Sequence, residues 1–309
     1  YEILADHSHT INQVSGERIR EEIFKILSLS KTIDCLKVLD KVGLLTELVP
    51  QLEIGRNVLQ PKEHYWDVFE HSINSANMAG KIFEQNTDLN FFQANIPKFP
   101  EMYIYFNEKI SDGQTRTTFL KFTALLHDIG KPASKTVDSS GKIRFLTHSE
   151  VGSDIANDIM NRLRISKKGI SIVETMIKNH LRPAQMSQSG DLPTDKAIYK
   201  YFRDLGDVAI DTLYLDLADY SAMRGPYLTE EEWEAHCSRT DYIIKRKALM
   251  RKRQEEEIAV LLNGNEIMEN FDLPPGPKIG TLIAKIKEAQ ALGDIKSRDE
   301  ALKFVESNI

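Results

Sequence analysis

An apolar helical pattern runs directly into two adjacent polar side chains in the segment Phe119-Leu120-Lys121-Phe122-Thr123-Ala124-Leu125-Leu126-His127-Asp128-Ile129-Gly130-Lys131-Pro132. The positions that recur at helical spacing and predict a buried stripe are Phe119, Phe122, Thr123 and Leu126. The helix is expected to end at the pair His127-Asp128, because Gly130 and Pro132 are typical of a helix terminus. Neighbouring side chains on a helix diverge by about 100°, so a His-Asp pair rarely serves one packing face.

Four histidines and two aspartates follow one another in a fixed order around this segment. They are His71, His127, Asp128, His148, His180 and Asp219. Imidazole and carboxylate groups are the ligands of borderline and hard divalent cations. Six such groups suffice for two ions with positions left for water and substrate. The pattern therefore predicts a hydrolase with two divalent metal ions.

Each of these residues has an alternative interpretation when it is considered alone. A His-Asp pair can simply be surface polarity, His71 can be a satisfied core histidine, and His148 can cap a helix or face solvent. His180 ends an apolar helix, where the dipole favours a cation. Asp219 lies in an apolar run, and burying its carboxylate unpaired would cost several kcal/mol, so a strong partner is expected. Their joint occurrence in this order favours metal ligands.

Two cations about 3.5–4 Å apart share a water, lower its pKa and contact both oxygens of an in-line displacement. Phosphate esters are the substrates that suit such a site, and no separate general base is required. We expect Asp128 to bridge the ions, with His71, His127 and Asp219 completing one site. His148 and His180 are expected to complete the other site.

Four further residues are candidates for contact with substrate. Lys131 is placed where its cation can contact a phosphate oxygen, and Asp128 and Lys131 are the predicted catalytic residues. Arg182 and Arg224 lie close in sequence to His180 and Asp219 and are candidates for binding phosphate. His64, two helical turns before His71, lines the same cleft or else has a surface or packing role. The other histidines, His7, His9 and His236, are expected to face solvent.

The composition bounds the class of protein. The chain has 309 residues, a net charge of -6 and 41% apolar residues, which argues against a uniformly basic nucleic-acid binder and fits two or three compact units. Cys35 and Cys237 have no CxxC spacing, so reduced thiols are expected. No apolar run approaches the ~18 residues of a spanning helix, and no signal peptide is present. A cytoplasmic protein without a membrane partner is predicted, and Tyr1 in place of Met suggests a fragment of a longer protein.

The hydrophobic periodicity predicts an all-α protein with one short β-hairpin. We expect a helical neck over residues 1–60, a central helical domain over 61–229 and a helical tail over 230–309. In the neck, Gly43 is a plausible C-cap. In the tail, a long charged helix over about 230–262 precedes the Pro-rich entry at 273–277 and a last helix with a capping box of Ser297 and Glu300.

The central domain has its own sequence of predicted elements. One helix over 64–84 carries His71, and an aromatic-rich insertion over 85–117 contains some helix and packs over the next element. Residues 135–146 carry the only good hairpin signal. The later predicted helices are 148–163, 168–180, 194–204 and 207–223.

The order His71…His127-Asp128…Asp219 resembles the HD superfamily of metal-dependent phosphohydrolases, and His148 and His180 resemble its two-metal branch. The flanks resemble the neck and tail of bacterial tRNA nucleotidyltransferases and poly(A) polymerases. The matching segments are 14–22, 36–45, 262–266 and 273–280. The resemblance covers nearly the whole chain and is weakest over 85–118. It implies an HD-domain helical bundle between neck and tail.

One departure from that family concerns the nucleotide-transferring head. Its Gly-rich turn and strand-borne Asp-x-Asp pair are absent, so this polypeptide by itself is not expected to add nucleotides. The head was either lost in evolution or belongs to a longer protein, and Tyr1 favours the second. The family implies RNA, specifically tRNA, as partner.

A cluster of basic residues in the long helix can be interpreted in two ways. Its members are Lys245, Arg246, Lys247, Arg251, Lys252 and Arg253. They can follow a phosphate backbone. They can equally form a solvated helix face that is balanced by the acidic run 255–257.

Three functional hypotheses follow from these observations. The first is a metal-dependent phosphohydrolase of an RNA-processing protein, acting on a phosphomonoester or a phosphodiester such as a 2′,3′-cyclic nucleotide or RNA end. The second is the RNA-binding body of a CCA-adding or poly(A) polymerase-like tRNA nucleotidyltransferase, with an accessory or vestigial HD site. The third is an RNA-binding module alone. His and Asp ligands accept Mn, Fe, Ni, Co, Zn or Mg, so the sequence names neither the metal nor the substrate nor the oligomeric state.

Overall fold

The computed structural model describes residues 2–84, 90–186, 192–256 and 261–309. At residues 90 and 253–256 only the backbone is described. The protein is predominantly helical, as predicted, with two short antiparallel hairpins. No described helix is both long and apolar enough to cross a membrane. Neither Cys35 nor Cys237 forms a disulfide, in agreement with the prediction.

The chain divides into two compact units by the contacts within each. Unit 1 contains Tyr1–Gln185 and Asp207–Thr240, and unit 2 contains Met186–Gly206 and Asp241–Ile309. The neck and the central elements thus share one unit. The boundaries near residues 60 and 229 stay a prediction about domain organisation.

The N-terminal segment is a series of short helices. They are α1 Glu2–Asp6, α2 Gly16–Ser28, α3 Thr32–Lys41, α4 Leu44–Leu48 and α5 Pro50–Glu53. Gly43 follows α3 with φ +73°, and its N–H donates to the carbonyl oxygen of Asp40 at 2.9 Å. This left-handed residue binds a carbonyl that the helix end would leave free, so the predicted C-cap is confirmed.

Five longer helices build the rest of unit 1. They are α6 Val68–Lys81, α9 Arg116–Leu126, α11 His148–Arg162, α12 Lys167–Asn179 and α15 Ala209–Arg224. Helix α6 packs against α9 and α15, and α11 packs against α12. The prediction that α6 begins at residue 64 is wrong, because Asp67 caps it by accepting from the Glu70 N–H at 2.8 Å.

Helix α9 lies at the centre of this unit. Every residue of α9 except Thr117 is buried, so its expected stripe is buried together with most of the opposite face. The ring of Phe24 on α2 lies 5.4 Å from that of Phe119 and 5.5 Å from that of Phe122, measured between centroids. The end of α9, where the His-Asp pair follows, is therefore held from several sides.

The aromatic-rich insertion contains helices α7 Asn90–Asn95 and α8 Met102–Asn107, and α8 packs against α9 as predicted. Residues 85–89 lie outside the described part. A hairpin also forms here, β1 Lys109–Ser111 with β2 Gln114–Thr115, so the prediction of a single hairpin is wrong. Its strands are too short to show an alternating pattern, and Asp112 and Gly113 make the turn with φ of +48° and +73°.

The predicted hairpin over 135–146 is confirmed. It follows α10 Lys131–Ser134 and pairs β3 Lys135–Val137 with β4 Ile143–Phe145 in antiparallel register. Asp138 stabilises the turn, because its Oδ1 accepts from the backbone N–H groups of Ser140 and Lys142 at 3.0 and 3.1 Å.

The remaining helices are α13 Arg182–Gln185, α14 Asp195–Leu205, α16 Glu230–Glu256, α17 Gly264–Phe271, α18 Pro277–Leu292 and α19 Arg298–Glu306. The predicted extension of α16 to residue 262 falls partly on residues 257–260, outside the described chain. Buried aliphatic side chains of the last three helices form a core in unit 2. Ser297 caps α19, but Glu300 accepts from the Lys296 N–H instead of completing the predicted box. The complete capping box is Asn263 with Glu266.

Candidate metal centre

All six predicted ligands meet at one buried centre in unit 1. His71 comes from α6, and His127 and Asp128 directly follow α9. His148 begins α11, His180 follows α12, and Asp219 lies on α15. Their ligand atoms fall into a first group of His71, His127, Asp128 and Asp219 and a second group of Asp128, His148 and His180. Within each group all ligand atoms lie within 4.8 Å of one another.

The first group has the spacing of ligands around a single ion. Nε2 of His71 lies 3.3 Å from Oδ2 of Asp128 and 3.0 Å from Oδ1 of Asp219. Nε2 of His127 lies 3.3 and 3.5 Å from the same two oxygens. Ligands that are each about 2.0–2.2 Å from an ion are roughly 3.0–3.5 Å apart at tetrahedral or octahedral angles. These four side chains therefore fit a divalent cation.

The second group uses the other oxygen of Asp128. Its Oδ1 lies 3.4 Å from Nε2 of His148 and 3.7 Å from Nε2 of His180, and these two nitrogens are 3.2 Å apart. Asp128 thus directs one oxygen at each group.

Backbone carbonyls orient three of the four imidazole rings. Nδ1 of His127, His148 and His180 lies 2.7–2.8 Å from the carbonyl oxygen of the residue three positions earlier. A carbonyl can only accept a hydrogen bond, so Nδ1 carries a hydrogen and Nε2 is the atom that can face a cation. Such hydrogen bonds orient the histidines of metal sites and fix their tautomer.

The centre contains buried polar atoms that the protein leaves unsatisfied. Among the described residues, both carboxylate oxygens of Asp128, Nε2 of His127 and Nδ1 of His71 have no hydrogen-bond partner. Burying a polar group without a partner costs about 1–3 kcal/mol, and more for a charged one. A divalent cation would remove this cost for the carboxylate and for the His127 lone pair, so the residues present fit a metal centre.

The electrostatics of the carboxylates point in the same direction. Burial raises the pKa of Asp128, but the charges of His127 and Lys131 outweigh burial and hold that pKa well below its usual value. Burial likewise raises the pKa of Asp219, and His127 and His71 lower it well below the usual value. Both carboxylates are therefore negatively charged, and for Asp128 the neighbouring positive charge includes that of Lys131.

His127 and His180 differ in the absence of a cation. Burial lowers the pKa of His127, but the carboxylates of Asp128 and Asp219 outweigh burial and raise it to about 10. Burial and the charge of His127 lower the pKa of His180 to about 4. A proton on His127 therefore supplies the positive charge that a cation would supply, whereas His180 is neutral and presents its lone pair.

Lys131 lies against the centre. Its Nζ is 2.6 Å from Oδ2 of Asp128 and donates to Oε1 of Gln60 at 2.7 Å. The side chain is buried, with Nζ 5.6 Å from the centroid of the Phe145 ring. The ammonium thus stabilises the ligand carboxylate, and its contact with a phosphate oxygen stays a prediction.

Gly130 allows α11 to approach the end of α9. A Cβ at this position would collide with the carbonyl oxygen of His148 and the amide nitrogen of Gly152. Glycine is therefore required here for space, since its φ of -82° is ordinary. This contact brings His148 to Asp128.

The other predicted substrate contacts differ in their surroundings. The His64 ring lies 5.7 Å from the His71 ring, and burial together with Lys131 lowers the pKa of His64 to about 4. Arg224 forms a bidentate pair with Glu232 at 2.9 and 3.0 Å. Arg182 lies 3.4 Å from Oδ1 of Asn179. Substrate binding by these three residues stays a prediction.

His236 was expected to face solvent, and this prediction is wrong. Its ring is buried, with Nε2 2.8 Å from Oδ2 of Asp216 and Nδ1 3.1 Å from a guanidinium nitrogen of Arg239. Tyr220 stacks on the ring at a centroid distance of 3.9 Å. Asp216 lies in the same apolar run as Asp219, so the argument that such an aspartate needs a partner applied to it as well. His7 and His9 are exposed, as predicted.

The basic cluster of α16 is partly engaged inside unit 2. Arg246 pairs with Asp195 on α14, with Nε 2.7 Å from Oδ1. Lys247 lies over the Phe202 ring at 5.2 Å. The side chain of Arg253 lies outside the described part of the chain. Binding of RNA by this cluster stays a prediction.

Two family models match the chain. The model described as "HD domain" matches residues 68–224, about half of the chain. The model described as "Probable RNA and SrmB- binding site of polymerase A" matches residues 1–54. The first range contains all six ligands, and the second covers most of the predicted neck.

Curated relatives match over most of the chain. An A-adding tRNA nucleotidyltransferase of Deinococcus radiodurans is 26% identical over 94% of this chain and 58% of its own length. A CC-adding tRNA nucleotidyltransferase of Thermus thermophilus is 27% identical over 94% of this chain and 56% of its own length. A bifunctional uridylyltransferase/uridylyl-removing enzyme of Ruegeria pomeroyi is 26% identical over 59% of this chain and 17% of its own length. The chain thus spans somewhat more than half of the first two relatives and corresponds to their C-terminal part.

Proposed function

Because this chain belongs to the HD domain family, we propose that its six-ligand centre binds two divalent cations and hydrolyses a phosphate ester. The observation that carries the proposal is the position of Asp128. Its two buried oxygens face two different ligand groups, and the ammonium of Lys131, 2.6 Å from Oδ2, contacts only one of them. One carboxylate with this environment supports two ions better than one.

The residues of the centre have separate tasks in such a reaction. Bound divalent cations supply a water of lowered pKa and neutralise charge on phosphoryl oxygens. Asp128 holds both positions together, and backbone carbonyls keep the imidazole lone pairs directed inward. Asp219 is the most exposed ligand, with 23% of its side chain accessible, so substrate approaches beside it. Lys131 adds a positive charge at the bridging carboxylate.

The substrate proposed is a phosphomonoester or a phosphodiester, such as a 2′,3′-cyclic nucleotide or an RNA end. Two relatives are named for adding nucleotides to tRNA, and one is named for both transferring and removing a uridylyl group. Residues 1–54 match a probable RNA-binding site. Together these names favour a tRNA-processing protein in which the HD centre acts on a nucleic-acid phosphate.

The test is metal analysis combined with a hydrolysis assay on 2′,3′-cyclic AMP, using the native chain, Asp128→Ala and a control. We expect two equivalents of a divalent metal such as Mn²⁺ and turnover in the native chain, and loss of both in Asp128→Ala. Asp154→Ala is the control, since Asp154 is an exposed aspartate on α11. A native chain with neither metal nor turnover overturns the proposal.

A second candidate function is the tRNA-binding body of a nucleotidyltransferase, with the HD centre accessory or vestigial. It is favoured by the names of the two relatives that the chain matches over 94% of its length. The test uses the complete protein: a strand-borne Asp-x-Asp pair outside this chain and nucleotide addition to tRNA would support it. Addition that is unchanged in Asp128→Ala would make the HD centre accessory, whereas its loss in that variant would contradict an accessory role.

A further inference from the structure

Two exposed tyrosine rings lie together in unit 1. Tyr65 is 43% exposed and Tyr227 is 67% exposed. Their ring centroids are 5.0 Å apart, with an angle of 82° between the planes. Among the described residues neither hydroxyl has a hydrogen-bond partner, so hydrogen bonding within the protein does not account for these rings. We call Tyr65 and Tyr227 the tyrosine pair.

The backbone holds the tyrosine pair in place. The Tyr65 N–H donates to the carbonyl oxygen of Met223 at 2.9 Å, and the Trp66 ring packs edge-on against Tyr65 at 4.5 Å. Gly225 packs closely against Tyr65 and Trp66. A Cβ at Gly225 would lie 3.0 Å from Nε1 of Trp66 and 3.2 Å from Cβ of Tyr65. A ring held in this way loses little conformational entropy when a ligand binds.

The tyrosine pair adjoins the metal centre through both of its segments. Tyr65 directly follows His64, whose ring is 5.7 Å from that of the ligand His71. Tyr227 belongs to the 3₁₀ turn Gly225–Tyr227, which follows α15, the helix that carries the ligand Asp219. Because consecutive Cα atoms are about 3.8 Å apart, Tyr65 adjoins a side chain that packs against a ligand, and Tyr227 contacts Tyr65.

We propose that the tyrosine pair binds the base of a nucleotide whose phosphate is held at the metal centre. Aromatic side chains accept any base by stacking, because every base has a π-face. The inference rests on the proposed function and names its substrate class: nucleotides and the nucleotide ends of RNA, in preference to phosphate esters without a base.

The test compares two substrates that differ only in the base. These are 2′,3′-cyclic AMP and the 2,3-cyclic phosphate of methyl riboside. The native chain is expected to prefer the nucleotide in kcat/KM. In the double variant Tyr65→Leu/Tyr227→Leu, which keeps apolar volume but removes both rings, we expect this preference to fall about tenfold, mainly through a higher KM for the nucleotide. The matched control is Tyr103→Leu, because Tyr103 is 46% exposed on α8.

The outcomes separate this inference from the proposed function. An unchanged preference in the double variant, or no preference in the native chain, overturns the role of the tyrosine pair even if hydrolysis is observed. If the native chain hydrolyses neither substrate, the proposed function fails. The binding of AMP is then measured from the changes that it causes in the NMR chemical shifts of the protein. Weaker AMP binding in the double variant than in Tyr103→Leu then supports the tyrosine pair, and equal or absent binding overturns it.

Discussion

Asp216 and Asp219 lie one helical turn apart on α15. Each carboxylate contacts at least one buried histidine, but the surroundings of the two aspartates differ. Asp216 pairs with His236, whose second nitrogen accepts from Arg239 and whose ring is covered by Tyr220. Asp219 instead meets two histidines beside Asp128, in a group with unsatisfied atoms.

The comparison shows that buried histidine and aspartate do not by themselves make a metal site. Around His236 each ring nitrogen has a protein partner, so the cluster is complete as it stands. In the metal centre the Nδ1 atoms of three histidines are engaged by backbone carbonyls, and every Nε2 is directed at a carboxylate oxygen. Imidazole nitrogens that converge beside two carboxylates are what a cation requires.

The largest expected effect comes from substituting each aspartate in turn. In Asp219→Asn we expect metal content to fall from two ions per chain to one and turnover to fall at least about 100-fold, since even the supporting partners of a ligand are worth 10–100-fold. Metal analysis and initial rates provide the measurement.

Asp216→Asn is the matched control on the same helix. It should keep both ions and lose only about 1–3 kcal/mol of stability, from a weakened hydrogen bond to a charged group. Loss of metal in Asp216→Asn, or two retained ions in Asp219→Asn, would break the distinction between the two clusters.

The second effect concerns how closely α11 approaches the end of α9. Gly130→Ala places a Cβ against the carbonyl oxygen of His148, so we expect a loss of about 1–3 kcal/mol from overpacking. His148 must also move, which weakens the second cation more than the first. Thermal unfolding and metal titration would measure both changes.

The control for this substitution is Gly280→Ala on α18. A Cβ there meets nothing within 4 Å, so alanine should stabilise the protein by up to about 1 kcal/mol through helix propensity. A Gly130→Ala protein as stable as the native chain, with both ions bound, would show that the close approach is not required.

The third effect is the pH dependence of cation binding at the two groups. Burial lowers the pKa of His127, but Asp128 and Asp219 raise it to about 10, so the first group must release a proton to bind a cation. Its affinity should therefore rise about tenfold per pH unit between pH 6 and 9. Because burial and His127 lower the pKa of His180 to about 4, that ligand adds little pH dependence above pH 5.

Calorimetric titration with Mn²⁺ in buffers of different ionisation enthalpy would count the protons released. If one site releases a proton when it binds Mn²⁺ and the other releases less than one, the difference between the two groups is confirmed. Two sites with equal proton release would contradict it.

The smallest expected effect separates two tyrosines, Tyr220 on α15 and Tyr227 in the turn that follows it. Tyr220→Leu removes the ring stacked on His236 and should cost about 0.5–1.5 kcal/mol of stability without loss of metal. Tyr227→Leu should leave the unfolding temperature unchanged, because that ring is mostly exposed. Chemical denaturation of both variants makes the comparison, and equal stability losses would contradict it.

Much of the fold followed from local patterns. Helix α15 was placed to within two residues from its hydrophobic periodicity, and the hairpin after α10 from its turn residues. The start of α6 was missed because the helical pattern extends back to residue 64, whereas Asp67 acts as the N-cap and the helix begins at Val68. The β1–β2 hairpin was missed because two- and three-residue strands show no periodicity.

The site was predictable to the extent that residue type and order decide it. The six candidate ligands were predicted to lie together because two aspartates and four histidines in this order are rare as packing residues, and the structure places them in one cluster. His236 was misjudged because its surroundings in α16 are charged and indicate solvent. Its carboxylate partner, Asp216, comes from another helix, 20 residues earlier in the chain.

The sequence alone determined the helical class, the set of candidate ligands and the family. Those depend on periodicity, residue chemistry and motif order, which are properties of the chain before it folds. The tertiary structure alone decided which lone pairs stay free, that Asp128 faces two groups, and that Tyr65 and Tyr227 meet beside them. These depend on side chains that are distant in sequence and whose separation of a few ångströms exists only after packing.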